Sequence, residues 1–97
     1  MAEIRWTDEA AIWLEDIYKY IAEDNSEAAG RVAGGIYQKI QILSEFPEIG
    51  YRYCTEMEGD IRVLLYGHYR IAYLFRRPDI VEILGIFHGA LDLRRYL

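Results

Sequence analysis

The stretch IRVLLYGHYRIAYLFRRPDIVEILGIF, residues 61–87, holds three apolar runs separated by two turn signals. IRVLLY, YRIAYLF and IVEILGIF either alternate with polar residues or stay apolar throughout, over the length of a strand rather than of a helix. Gly67-His68 suits a two-residue hairpin turn, and Pro78-Asp79 marks a second reversal. The spacing predicts a three-strand antiparallel meander, and the rest of the chain has to be fitted around it.

Upstream the period changes to that of helices. Thr7 followed by Asp8 and Glu9 reads as an N-cap with acids at the positive end of the helix dipole. Ala10, Leu14, Ile17, Tyr18 and Ile21 then form one stripe, which predicts a helix from about Asp8 to Glu23. After DNSE, residues 24–27, a second stripe of Ala29, Val32, Ala33, Ile36, Ile40 and Leu43 predicts a helix from about Glu27 to Glu45. Gly30, Gly34 and Gly35 each cost such a helix about 1 kcal/mol relative to alanine, so close approach of the two helices at Gly30 and Gly34 is expected to offset them. EIRW, residues 3–6, reads as a short strand, with Trp6 and Trp13 expected to pack between it and the first helix. FPEIG, residues 46–50, ends the helical region, a loop is expected to run to Gly59, and a short helix from about Ala90. The expectation is one α+β domain over residues 1–97: an N-terminal strand, an antiparallel helical hairpin on one face of the sheet, the meander and a short C-terminal helix.

The 97 residues, 53% of them apolar, suit a folded single core. Cys54 has no second cysteine to pair with, the N-terminus lacks the pattern of a secretory signal, and no apolar run nears the length of a membrane span. A cytoplasmic protein with no membrane contact is expected. The net charge of -5 argues against a general phosphate binder, but it hides a division. Residues 1–60 carry 13 acids and 5 bases, a net of -8, whereas residues 61–97 carry 3 acids and 6 arginines, a net of +3. His68, His88 and Cys54 have no metal-ligand spacing, and neither a glycine-rich phosphate loop nor a Ser-His-Asp order is present, so no metal or cofactor is implied.

The element order, the FPEIG link, the strand IRVLLY, the segment YRIAY at residues 69–73 and the ending IFHGALDLRRYL together resemble the RelE/ParE family of bacterial type II toxins over nearly the whole chain. HGALDLRRYL looks closer to the C-terminus of ParE-like members than to that of the nucleases. The resemblance implies the toxin of a toxin–antitoxin, plasmid-stabilising system, neutralised by a cognate antitoxin in a hetero-oligomeric complex and, in the ParE-like subgroup, inhibiting DNA gyrase. The alternative it implies is a RelE-like endonuclease cutting mRNA on the ribosome, and a third is a non-toxic member that retains antitoxin binding. The antitoxin is expected over the sheet edge and the apolar rim near the hairpin.

Cleavage through the ribose 2'-hydroxyl needs a base, an acid and cations around the phosphate. Arg70 and His88 are the candidates for that chemistry, with Arg62, Glu56 and Tyr96 behind them. Against it stand Lys19 and Lys39, both on the predicted hairpin, and Glu56, Glu58 and Asp60, which crowd the loop from Tyr51 to Asp60 and repel phosphate. As contacts to target or antitoxin, the candidates are Arg62, Arg70, His88, Asp92, Arg94 and Arg95. A two-residue turn at Gly67-His68 puts Arg62 and Arg70 on opposite faces, while Arg70 and His88 share a face only if the Pro78 loop has odd length. His88 also has a plainer role open to it, as a strand-end residue capping the sheet.

Overall fold

The computed structural model describes residues 1–89 and 93–97. It contains β1 (Glu3–Trp6), α1 (Asp8–Ala22), α2 (Ser26–Gln41), a 3-10 turn (Ile42–Ser44), β2 (Tyr51–Glu56), β3 (Gly59–Tyr66), β4 (Tyr69–Arg76), β5 (Ile80–His88) and a second 3-10 turn (Leu93–Arg95). The strands form one sheet in the order β1-β5-β4-β3-β2, with β1 parallel to β5 and the other neighbours antiparallel.

Both helices start where their caps demand. The Thr7 hydroxyl accepts from the Ala10 amide at 3.1 Å and donates to the Ile83 carbonyl at 2.6 Å, so one side chain both caps α1 and ties it to β5. Asn25 accepts from the Ala28 amide at 3.0 Å and opens α2. The apolar stripes of the hairpin meet one face of the sheet, where Ala10, Ile36, Ile40 and Leu43 pack with Leu64, Ile71, Tyr73, Phe75, Val81, Ile83 and Ile86. On the opposite face Val63, Ala72 and Phe87 are covered by Leu93 from the C-terminal turn.

The expected loop from Tyr51 is instead a strand. β2 pairs with β3 through a two-residue turn at Met57-Glu58, making the antiparallel part four strands and the whole sheet five. Its signal is weak because it is an exposed edge strand, slipped by one residue between Arg52 and Cys54, with no buried alternate face. Gly59 closes that turn at φ +154°, where an added Cβ would lie 2.1 Å from the Phe75 carbonyl oxygen.

The helical glycines also differ from expectation. A Cβ at Gly30 or Gly34 would meet nothing within 4 Å, so neither serves close helix approach. Gly35 is the crowded position: a Cβ there would sit 1.8 Å from the Tyr66 hydroxyl, which lies over the bare backbone of α2. Trp6 stacks on Tyr37 of α2 with ring centroids 6.2 Å apart and also borders Ala11 and Leu14 of α1. Trp13 turns toward Phe87 and Tyr96 instead. Of the expected C-terminal helix, residues 90–92 lie outside the described residues and Leu93–Arg95 form a single 3-10 turn. No described helix is long and apolar enough to cross a membrane.

Candidate functional site

Register decides which of the candidate residues can meet. Tyr66 pairs with Tyr69 across a two-residue turn, which sets Arg62 opposite Tyr73 on the helix face and Arg70 opposite Leu65 on the other. The second loop, residues 77–79 between the paired Arg76 and Ile80, has the odd length that would bring Arg70 and His88 together. A one-residue slip between Ala72 and Tyr73 reverses that parity, so His88 pairs with Tyr69 and shares the helix face with it, away from Arg70. The extra residue, Leu84, lets both Ile83 and Ile86 face the core. Gly85 accommodates the slip, since a Cβ there would press to 2.5 Å from the Phe87 ring.

Arg62 is buried, 8% exposed, and its guanidinium is spent on structure. Nη1 donates to the Glu48 carbonyl at 2.9 Å and the Gly50 carbonyl at 2.7 Å, while Nη2 lies 3.6 Å from the Asp60 carboxylate. Arg77 bridges Asp60 at 3.2 Å and Glu48 at 2.9 Å, with its guanidinium over the Phe75 ring, and Arg52 approaches Asp60 at 3.8 Å. Asp60 thus gathers Arg52, Arg62 and Arg77, and the network fixes the loop entering β2. Glu56 ends β2 beside this cluster, beyond the Phe75 row. Between that row and the Tyr69–His88 row lie six residues of strand, about 20 Å. Glu56 and His88 therefore stand at opposite ends of the sheet.

His88 sits with its imidazole 6.4 Å from that of His68 and edge-on to Tyr69 at 5.8 Å. Tyr96 is an aromatic packing residue: its ring stacks on Phe87 at 5.0 Å and meets Trp13 at 5.5 Å. Arg94 and Arg95 lie on the exposed side of the C-terminal turn, and Asp92 lies outside the described residues. Among the described residues no three His, Cys, Asp or Glu side chains are grouped to hold a metal ion. Burial, with Glu56 nearby, pushes the Cys54 thiol above its ordinary range and leaves it a poor nucleophile.

An apolar surface lies on the helices, in the region of the apolar rim expected near the hairpin. Trp6, Ala11, Leu14, Tyr18, Ala33 and Tyr37 line an open apolar groove of about 410 Å³ between α1 and α2. Tyr18 and Tyr37 are 42% and 50% exposed, and Gly30 and Gly34 add bare backbone to the outer side of α2. The signal was present in the sequence, as apolar residues wider than one core stripe and glycines with no turn to make.

Comparison with known proteins agrees with this architecture. Residues 4–93 match the family described as the ParE toxin of type II toxin–antitoxin system, parDE. A relative from Sinorhizobium fredii (strain NBRC 101917 / NGR234), named "Putative toxin Y4kP", is 35% identical over 86 residues, covering 89% of this chain and 86% of its own length. The fold is shared with a solved chain of the chromosomal ParDE TA system from P. aeruginosa, at a TM-score of 0.72 and 23% identity over 91% of this chain and 96% of that one.

Proposed function

The chain belongs to the ParE toxin family of type II toxin–antitoxin systems, and from that premise we propose that it arrests growth by binding and inhibiting DNA gyrase in the cytoplasm, until a cognate antitoxin neutralises it. The observation that carries a binding rather than a cleaving toxin is the dispersal of the candidate catalytic groups. Arg70 lies on one sheet face and His88 on the other, Arg62 is consumed by Asp60 and two carbonyls, and Glu56 is at the far end of the sheet. That spread supports a toxin that binds, since cleavage needs base, acid and phosphate-binding cation to converge on one scissile bond.

The hairpin groove suits the antitoxin. An apolar helix laid between α1 and α2 would bury Trp6, Leu14, Tyr18 and Tyr37 and could approach α2 closely at Gly30 and Gly34. The solved relative is described as part of a toxin–antitoxin system, which supports a hetero-oligomeric resting state and, where the system is plasmid-borne, a role in plasmid stabilisation.

Two assays on purified protein test the reading: supercoiling by DNA gyrase and mRNA cleavage on programmed ribosomes. Inhibited supercoiling with intact mRNA is expected. Cleavage abolished by Arg70→Ala and His88→Ala, with gyrase unaffected, would replace this reading by the endonuclease one. Silence in both assays, with no growth arrest on expression, would leave a non-toxic antitoxin binder.

A further inference from the structure

A second groove, of about 320 Å³, runs along the other side of α1, lined by Trp13, Asp16, Ile17 and Tyr20 from the helix and by Tyr69 and His88 from the sheet. Its walls are aromatic, and Asp16 sets a carboxylate among the rings. Trp13 is positioned by its contacts to Phe87 at 4.8 Å and to Tyr96, and Tyr69 is set by its edge contact with His88. Tyr20 is 78% exposed, so its ring is open to an incoming group. The neighbouring cation, Lys19, is held by Glu15 at 2.7 Å, and among the described residues no base is ion-paired to Asp16.

Charge continues in the same sense along the helix. Glu9, Asp16 and Glu23 recur every seven residues, about 10 Å apart on one face, with Trp13 and Tyr20 between them. Ring faces attract cations, and a guanidinium both stacks on aromatics and pairs with a carboxylate. We propose that this groove receives an arginine side chain presented by a partner protein, with the guanidinium between Tyr20, Tyr69 and Trp13 and its charge met by Asp16. Glu9 and Glu23 would favour further bases on either side, so the fitting partner is a basic segment two helical turns or more in length. The inference is independent of whether the partner is the target or the antitoxin, and of whether gyrase is inhibited.

The probe is N-acetyl-arginine amide, titrated into the full-length protein at pH 8 and followed by amide and indole NMR shifts. N-acetyl-citrulline amide, the neutral isostere, is the comparison. Saturable shifts at Trp13, Asp16, Tyr20 and Tyr69 are expected for arginine, with citrulline at least about fivefold weaker. Asp16→Asn and Tyr20→Ala, both at exposed positions that leave the core intact, should each weaken arginine about fivefold, while Asp79→Asn, in the β4–β5 turn, should not. Equal binding of citrulline, unchanged binding in Asp16→Asn, or shifts spread over the other acidic residues would overturn the proposal.

Discussion

Arg62 invites a chemical reading, yet both terminal nitrogens of its guanidinium are turned to structural partners. Removing a guanidinium that satisfies two loop carbonyls and one side of Asp60 leaves buried polar groups without partners. Arg62→Met is therefore expected to cost about 3 kcal/mol in urea denaturation, whereas a catalytic role would have spared stability and removed activity. Tyr73 is the companion case. Its buried hydroxyl donates to the Pro47 carbonyl at 2.8 Å and accepts from the Gly50 amide at 3.0 Å. Tyr73→Phe should cost about 2 kcal/mol, measured the same way. Burial pushes the Tyr73 phenol above its ordinary value, against smaller opposing effects of the Gly50 amide and Arg62. A group whose pKa is raised by folding loses its stabilising contribution as pH climbs from the unfolded value, about 10, through the folded one. Stability of the wild-type chain should consequently fall above about pH 10 more steeply than that of Tyr73→Phe.

At the scale of elements, the three helical glycines separate into two kinds. Gly35 is required by Tyr66, so Gly35→Ala must displace that ring and is expected to destabilise by about 1–3 kcal/mol. Gly30 and Gly34 face open space, and alanine at either should stabilise the free protein by about 0.5–1 kcal/mol in thermal or urea unfolding. If the antitoxin approaches α2 there, the same substitutions weaken the complex in calorimetry while they strengthen the toxin alone. Legibility of the sequence also divides by element. α1, α2, β3, β4 and β5 were readable because each buries one regular stripe or run. β2 was not, because an edge strand with exposed Tyr51, Arg52, Thr55 and Glu56 needs no apolar face. Of the site, the opposition of Arg62 and Arg70 followed from Gly67-His68, but the position of His88 did not. Counting loop residues cannot reveal a bulge, and Leu84 in an already apolar run gives no sign that it is the surplus residue.

At the scale of the molecule, the basic half is less available than its composition implies. Of its six arginines, Arg62, Arg76 and Arg77 are ion-paired within the chain, Arg76 to Glu82 at 2.8 Å. With the whole chain at a net charge of -5, a single-stranded RNA of about 20 nucleotides is expected to show no shift with micromolar protein at physiological salt, about 0.15 M, in an electrophoretic assay. Apolar groups are also open to solvent, among them Phe46 and Ile49, 56% and 52% exposed in the link between helix and sheet. That link looks like the natural place for a protease to cut, yet the carbonyls of Pro47, Glu48 and Gly50 and the amide of Gly50 are all bound by Tyr73 and Arg62. To thread it into a protease, those bonds must break together, and they are anchored in β3 and β4 at the centre of the fold. Thermolysin, which cuts before large apolar residues, should spare the Glu48–Ile49 bond until the whole domain opens, so the lifetime of this link against digestion is set by global unfolding and not by its own exposure.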